Sequence, residues 1–170
     1  MPVILLETLI HAPRERVFDL ARSIDAHQAS ASQTHERAIA GVTRGLINAG
    51  ESVTWEARHF GVTQRLTVEI TQLNRPFFFQ DVMRRGAFAR MTHDHLFETV
   101  SPGSTLMKDR FDYAAPLGPL GKIVERLVLT RHLRAFLLTR NAHLKTLAES
   151  PDAWRPYLNL WPEPSGPSEL

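Results

Sequence analysis

Between residues 36 and 113, hydrophobic and polar side chains alternate with a period of two, broken by short turns that contain glycine or proline. Such alternation predicts strands with one buried face. Ser52–Phe60 carries Val53, Trp55 and Ala57 on one side, and beyond a tight turn at Gly61 the run Val62–Thr71 alternates through Leu66, Val68 and Ile70. Phe77–Arg84, Phe88–Val100 and Thr105–Tyr113 continue the ladder, with turns at Arg85-Gly86 and Ser101-Pro102-Gly103-Ser104. A weaker strand, Glu36–Val42, leads into the stretch holding Gly41, Gly45 and Gly50. Connections this short make neighbouring strands antiparallel.

The pattern differs at both ends. Val3–Ile10 is a β-branched and leucine-rich run and predicts a first strand. Pro13 then starts a helix over Arg14–Ala21, with Val17, Phe18 and Ala21 on one face, and a short helical or irregular piece follows around Ile24–Ala31. After Tyr113, Pro116 ends the last strand, and Gly118-Pro119-Leu120-Gly121 opens a helical stretch that reaches about Ala148. At 1.5 Å per residue it extends roughly 40 Å, enough to cross the sheet. Its apolar stripe changes phase: Leu120, Ile123, Val124, Leu127 and Val128 share one face, and Leu129, Leu133, Phe136, Leu144 and Leu147 lie nearly opposite. A kink or break near Thr130 is therefore expected. The prediction is an α+β domain over residues 1–148, a curved antiparallel sheet of about seven strands with two short helices after the first. A proline-rich tail without regular structure is expected over residues 149–170.

Composition narrows the class. A chain of 170 residues with 43% hydrophobic content can close one core. Its formal net charge of +2 and 22% charged residues do not mark a disordered chain or a nucleic-acid binder, so no specific nucleic-acid partner is expected. The absence of cysteine removes disulfides, thiolate catalysis and cysteine-held zinc, and fits a reducing cytoplasm. The short apolar start is interrupted by Glu7, and no stretch has the length of a membrane span, so a cytoplasmic protein is expected. No Gly-x-Ser-x-Gly elbow or Walker-type Gly-Lys-Ser/Thr run is present.

Candidate chemistry lies in the later strands. Alternation puts Met91, His93, His95 and Phe97 on one face, Phe79 and Asp81 together on the preceding strand, and Asp109, Phe111 and Tyr113 on the following one. A three-residue turn at Ser101–Gly103 would set His95 across from Asp109, and a slip of one residue would destroy that pairing. The aromatics identify this face as the concave one, so two histidines and two carboxylates are expected inside an apolar sheet.

The order of elements resembles the START-like, or SRPBCC, superfamily. The resemblance is carried by Ala12-Pro13-x-x-x-Val17-Phe18-Asp19-Leu20, Gly50-Glu51-Ser52-Val53, Phe79-Gln80-Asp81 and Gly86-Ala87-Phe88. It continues through Met91-x-His93-x-His95-x-Phe97, Asp109-x-Phe111-x-Tyr113 and Pro116-Leu117-Gly118-Pro119-Leu120-Gly121, covering about residues 3–148. The chain looks most like the bacterial branch called cyclase/dehydrase-like, although that branch leads one to expect tryptophan at position 91 and proline at 87, where this chain has Met91 and Ala87. The resemblance implies a helix-grip fold with a long C-terminal helix and a binding pocket; it does not imply an activity.

Four uses of the His93, His95, Asp81 and Asp109 group follow. The four can satisfy one another as a structural network. One of them can orient the polar end of a ligand. A carboxylate-held histidine can transfer protons, as cyclisation or dehydration requires. Two histidines at alternate strand positions can chelate an ion, but the sequence does not fix a third ligand, so no metal or cofactor is assigned.

The leading expectation is therefore carriage of an apolar small molecule such as a lipid, isoprenoid or polyketide-like compound. The expected pocket consists of Trp55, Phe79, Asp81, Met91, His93, His95, Phe97, Asp109, Phe111 and Tyr113, with Leu120, Val124 and Leu127 on the helix side. The alternatives are an aromatase/cyclase- or dehydratase-type enzyme using the His/Asp group, and a regulatory module docking through the basic terminal helix. That helix carries Lys122, Arg126, Arg131, Arg134, Arg140 and Lys145, which could also give peripheral contact with an anionic membrane. Leu46 and Ile47 are candidates for an apolar lip at the pocket entrance. The oligomeric state is left open.

Overall fold

The computed structural model describes residues 2–31, 35–59, 61–115 and 129–158, with only the backbone of His59. Strand β1 (Val3–Ile10) is followed by helices α1 (Arg14–Ala21) and α2 (Ile24–Ser30). Strands β2 (Arg37–Gly41), β3 (Ser52–His59), β4 (Val62–Asn74), β5 (Phe78–Arg85), β6 (Arg90–Ser101) and β7 (Ser104–Ala114) come next. Helix α3 (Thr130–Glu149) and a one-turn helix α4 (Arg155–Leu158) complete the order. The seven strands form one antiparallel sheet in the order β1-β7-β6-β5-β4-β3-β2. With α3 beside the concave face and two short helices after β1, this is the helix-grip architecture.

The alternation in the sequence becomes alternation of burial. Along β6, Met91, His93, His95 and Phe97 are buried, and the intervening Asp94 and Leu96 face outward. The β6–β7 register pairs His95 with Asp109. The register arises differently from the expected route: Pro102 and Gly103 make a two-residue turn, and a bulge at Val100 supplies the extra residue. The bulge thus restores the alignment that a three-residue turn would have given.

At the other sheet edge, Gly41 has φ of 73°, and a Cβ there would lie 2.1 Å from the carbonyl oxygen of Ser52. Only glycine permits that approach of β2 to β3.

Helix α1 covers one end of the concave face. Its Phe18 is fully buried and packs edge-on against Phe79 and Phe97, with ring centroids 5.5 and 5.2 Å away. The C-terminal half of α3 closes the same end, where Leu144, Leu147 and Ala148 are buried. The N-terminal half of α3 faces the other end of the sheet.

Helix α3 also guards the edge of β1. Arg134 donates to the carbonyl of Leu5, and Lys145 to that of Leu9. These contacts cover main-chain acceptors that an edge strand otherwise exposes, and they give two of the basic residues a structural task. Lys122 and Arg126 lie outside the described residues, as do Leu120, Val124 and Leu127.

The helix is described from Thr130, so the part expected between 118 and 128 is likewise outside them. The tail expected to be irregular contains α4; Trp154 and Tyr157 there are partly buried against the core, and Arg16 lies 4.3 Å above the Trp154 ring. Among the described residues no helix is long and apolar enough to cross a membrane.

Candidate functional site

Where α1 does not reach, a cavity of about 320 Å³ lies between the sheet and α3. Trp55, Ala57, Leu66 and Val68 come from β3 and β4, Met91 from β6 and Phe111 from β7. Phe88 closes it from the β5–β6 turn, and Leu133, Phe136 and Leu137 from α3. Polar groups reach it as well: Asp81 and His93 from the sheet, His132 and Arg140 from α3, and Gln64 and Arg65 from β4. His27 and Glu36 border it elsewhere, with the His27 ring stacked 4.1 Å from that of Trp55. An apolar chamber with a few convergent polar groups is the usual form of a small-molecule site, and 320 Å³ lies at the small end of such cavities.

The expected pocket residues divide into two groups. Trp55, Asp81, Met91, His93 and Phe111 line the cavity. His95 and Phe79 stand behind it, bordering a smaller void of about 60 Å³ together with Asp81. Phe97 belongs to the core under Phe18, and Tyr113 is fully buried with its hydroxyl 2.6 Å from Thr130 Oγ1. Asp109 lies one layer below the chamber, and Ile47 is buried in the core rather than forming a lip. Residues absent from the expected set are Arg140, His132, His27 and Asn141.

Two histidines and two carboxylates form a cluster across β5, β6 and β7. His93 Nε2 is 2.9 Å from Asp109 Oδ1, and His95 Nδ1 is 3.2 Å from the same oxygen. His95 Nε2 is 2.9 Å from Asp81 Oδ1, whereas His93 Nδ1 is 3.9 Å from it, too far for a hydrogen bond. The His93 and His95 ring centroids are 3.8 Å apart, and Phe79 stacks on the far side of His95 at 4.1 Å. Asn141 donates to the other oxygen of Asp109 at 2.6 Å. Both histidines, Asp109 and Asn141 are buried.

The charge state follows from these contacts. Burial alone would lower the pKa of His95, but carboxylates at both of its nitrogens outweigh that and raise it. Burial, reinforced by the neighbouring His95 charge, lowers that of His93. Burial would raise Asp81 and Asp109, yet the histidine hydrogen bonds and charges hold both low, Asp109 well below the usual carboxylate range. Arg140 adds to the effect at Asp81. At pH 6.5 the favoured state therefore has two carboxylates, an imidazolium at His95 and a neutral His93. With Asp109 ionised, the hydrogen-bond pattern assigns the His93 proton to Nε2, and Nδ1 stays an acceptor beside the cavity.

Sharing one proton between two histidines has a consequence for stability. Below the ordinary imidazole pKa of 6.5 the unfolded chain protonates both rings, and the folded chain resists protonating His93 until its lowered value is reached. Stability therefore falls as pH drops below about 6.5. Above 6.5 the folded chain keeps the His95 proton that the unfolded chain loses, so stability also falls until pH passes the raised His95 value. Urea midpoints between pH 5 and 8 should peak near about 6.5, and a His95→Gln chain should lose the decline on the alkaline side.

No family model matches the chain, and no curated protein matches its sequence. Solved structures do match its fold. TTHA0849 from Thermus thermophilus is 17% identical with a TM-score of 0.68, and the match covers 86% of this chain and 99% of that one. A START superfamily protein from Mycobacterium smegmatis is 13% identical with a TM-score of 0.65, covering 85% and 98% respectively. The Zhui aromatase/cyclase from Streptomyces sp. R1128 is 10% identical with a TM-score of 0.65, covering 89% and 98%. The chain has the START-like, SRPBCC-type helix-grip fold.

Proposed function

We propose that this protein binds and carries a hydrophobic small molecule in its internal cavity. The observation that carries this reading is a 320 Å³ chamber walled mainly by aromatic and aliphatic side chains, with Asp81, His93 and Arg140 among the polar groups that reach it. Burying the ligand there supplies most of the affinity, at roughly 25 cal/mol per Å² of apolar surface removed from water. His93 Nδ1 and the Arg140 guanidinium then fix its orientation through a polar end. The volume suits a compact ring system or a short isoprenoid chain better than a two-chain lipid. The START superfamily protein and the aromatase/cyclase among its structural neighbours are in keeping with such a pocket.

The gently purified chain should appear in native mass spectra with one apolar molecule of defined mass, released on denaturation. Spectra of the bare chain that do not change when apolar ring compounds are added would sink the proposal.

A second reading, proton-transfer catalysis of the cyclase or dehydratase kind, draws on one feature. His93 combines a place at the cavity wall with an acceptor nitrogen and a carboxylate behind it. His95 lies behind the wall with both nitrogens engaged, which leaves His93 as the histidine of the group that meets the cavity. On this reading the spectra would show an added polyketide-like compound changing mass by loss of water, and His93→Gln would retain binding but lose that change.

A further inference from the structure

Three donor groups cluster at the cavity wall and just behind it. One ligand atom from each of Asp81, His93 and His95 lies within 4.8 Å of the other two. Ligand atoms around a four-coordinate ion with bonds of about 2.0–2.2 Å are spaced roughly 3.4 Å apart. The two separations from Asp81 Oδ1, 2.9 Å to His95 and 3.9 Å to His93, straddle that value. Shifts of about half an ångström would equalise them.

The opposite side of each ring is already prepared. His93 Nε2 and His95 Nδ1 both face Asp109 Oδ1, at 2.9 and 3.2 Å. Asn141 holds the second oxygen of that carboxylate at 2.6 Å. Metal-bound histidines characteristically donate their outer N–H to such a carboxylate, which fixes the tautomer and aims the other nitrogen's lone pair at the ion. Here one buried carboxylate performs that task for both rings, and the remaining nitrogen of each ring is the one nearer Asp81, at 2.9 Å from His95 and 3.9 Å from His93. The sequence showed the histidine pair, and the fold supplies the third ligand.

We propose that Asp81, His93 and His95 bind a divalent transition-metal ion, Zn²⁺ fitting best, with a fourth coordination position open to the cavity. Two imidazoles and one carboxylate suit zinc or ferrous iron rather than calcium or magnesium, which take oxygen ligands. Asp81 and His93 both border the chamber, so the open position faces it. Binding the ion releases the proton that otherwise lies between His95 Nε2 and Asp81 Oδ1. Building on the cavity reading, the ion would recognise an apolar molecule ending in an anionic oxygen, such as a carboxylate, phenolate or enolate.

The test uses the full-length chain without a histidine tag, treated with chelator and dialysed against Zn²⁺ or Co²⁺ with no organic ligand present. Elemental analysis should find one equivalent of metal, and cobalt should give the intense visible absorption of a four-coordinate site. Asp81→Asn and His93→Gln should each weaken binding by more than the roughly 10- to 100-fold typical of losing an outer partner, whereas the exposed His11→Gln should not. Less than one equivalent in the wild-type chain, a pale six-coordinate cobalt spectrum, or full uptake by both variants would overturn the proposal. If the variants do not fold, the wild-type stoichiometry and cobalt spectrum decide. Failure here leaves cavity binding intact, because no organic ligand enters the measurement.

Discussion

An Asp109→Asn chain is expected to lose about 3–5 kcal/mol of folding stability at neutral pH, the largest single effect foreseen at the site. Asp109 accepts from His93, His95 and Asn141 at 2.9, 3.2 and 2.6 Å, in a place only 2% exposed. An amide has one oxygen where the carboxylate has two, and its NH₂ would face groups that are themselves donors. The charge on His95 would keep a single counter-ion, half-buried Asp81. Breaking a buried pair by removing one partner costs far more than the pair itself contributes. Urea unfolding of the two chains side by side checks this. A loss below about 1 kcal/mol would mean that the cluster of four side chains is not the buried ionic network described.

A Leu133→Trp chain is expected to bind apolar ring compounds at least about 100-fold more weakly while remaining within about 1 kcal/mol of wild-type stability. Leu133 lies on the cavity-facing side of α3 and is only partly buried, so an indole there can enter the chamber without disturbing the core under Phe18. Fluorescence titration with a naphthalene-type probe gives the affinity, and thermal unfolding gives the stability. Unchanged affinity would place the binding surface elsewhere.

The order and boundaries of the strands were legible because one face of the sheet is buried along most of its length. Met91, His93, His95 and Phe97 alternate with outward-facing residues, and that period survives folding. Even the His95–Asp109 register could be read, although a bulge at Val100 produces it.

Alternation identifies a face, but not what covers each part of it. Phe79 and Phe97 share the concave side with Met91 and His93, yet Phe18 of α1 caps them and removes them from the cavity. Alternation likewise put His93 and His95 on one face without ranking their depth, which depends on where α1 and α3 land. Arg140 was read as part of the basic outer face of the terminal helix and His132 was not singled out, because the pocket side of α3 was sought only in its apolar stripe. One signal for Asn141 was available. Leu137, Asn141, Leu144 and Ala148 follow the i, i+4, i+7, i+11 spacing of a buried helix face, with a single polar member in an otherwise apolar row. A lone polar residue on such a face calls for a buried partner, and Asp109 is that partner.

Methyl and histidine-ring NMR of the wild-type chain, titrated with a naphthol, tests most directly whether the space between sheet and helix is a binding chamber. Saturable one-to-one shifts are predicted at Met91, Val68, Leu133 and Leu137, together with a response of the His93 ring. Shifts absent from those groups, or confined to the exposed Val3, Leu5 and Leu9 on the outer side of β1, would contradict the account.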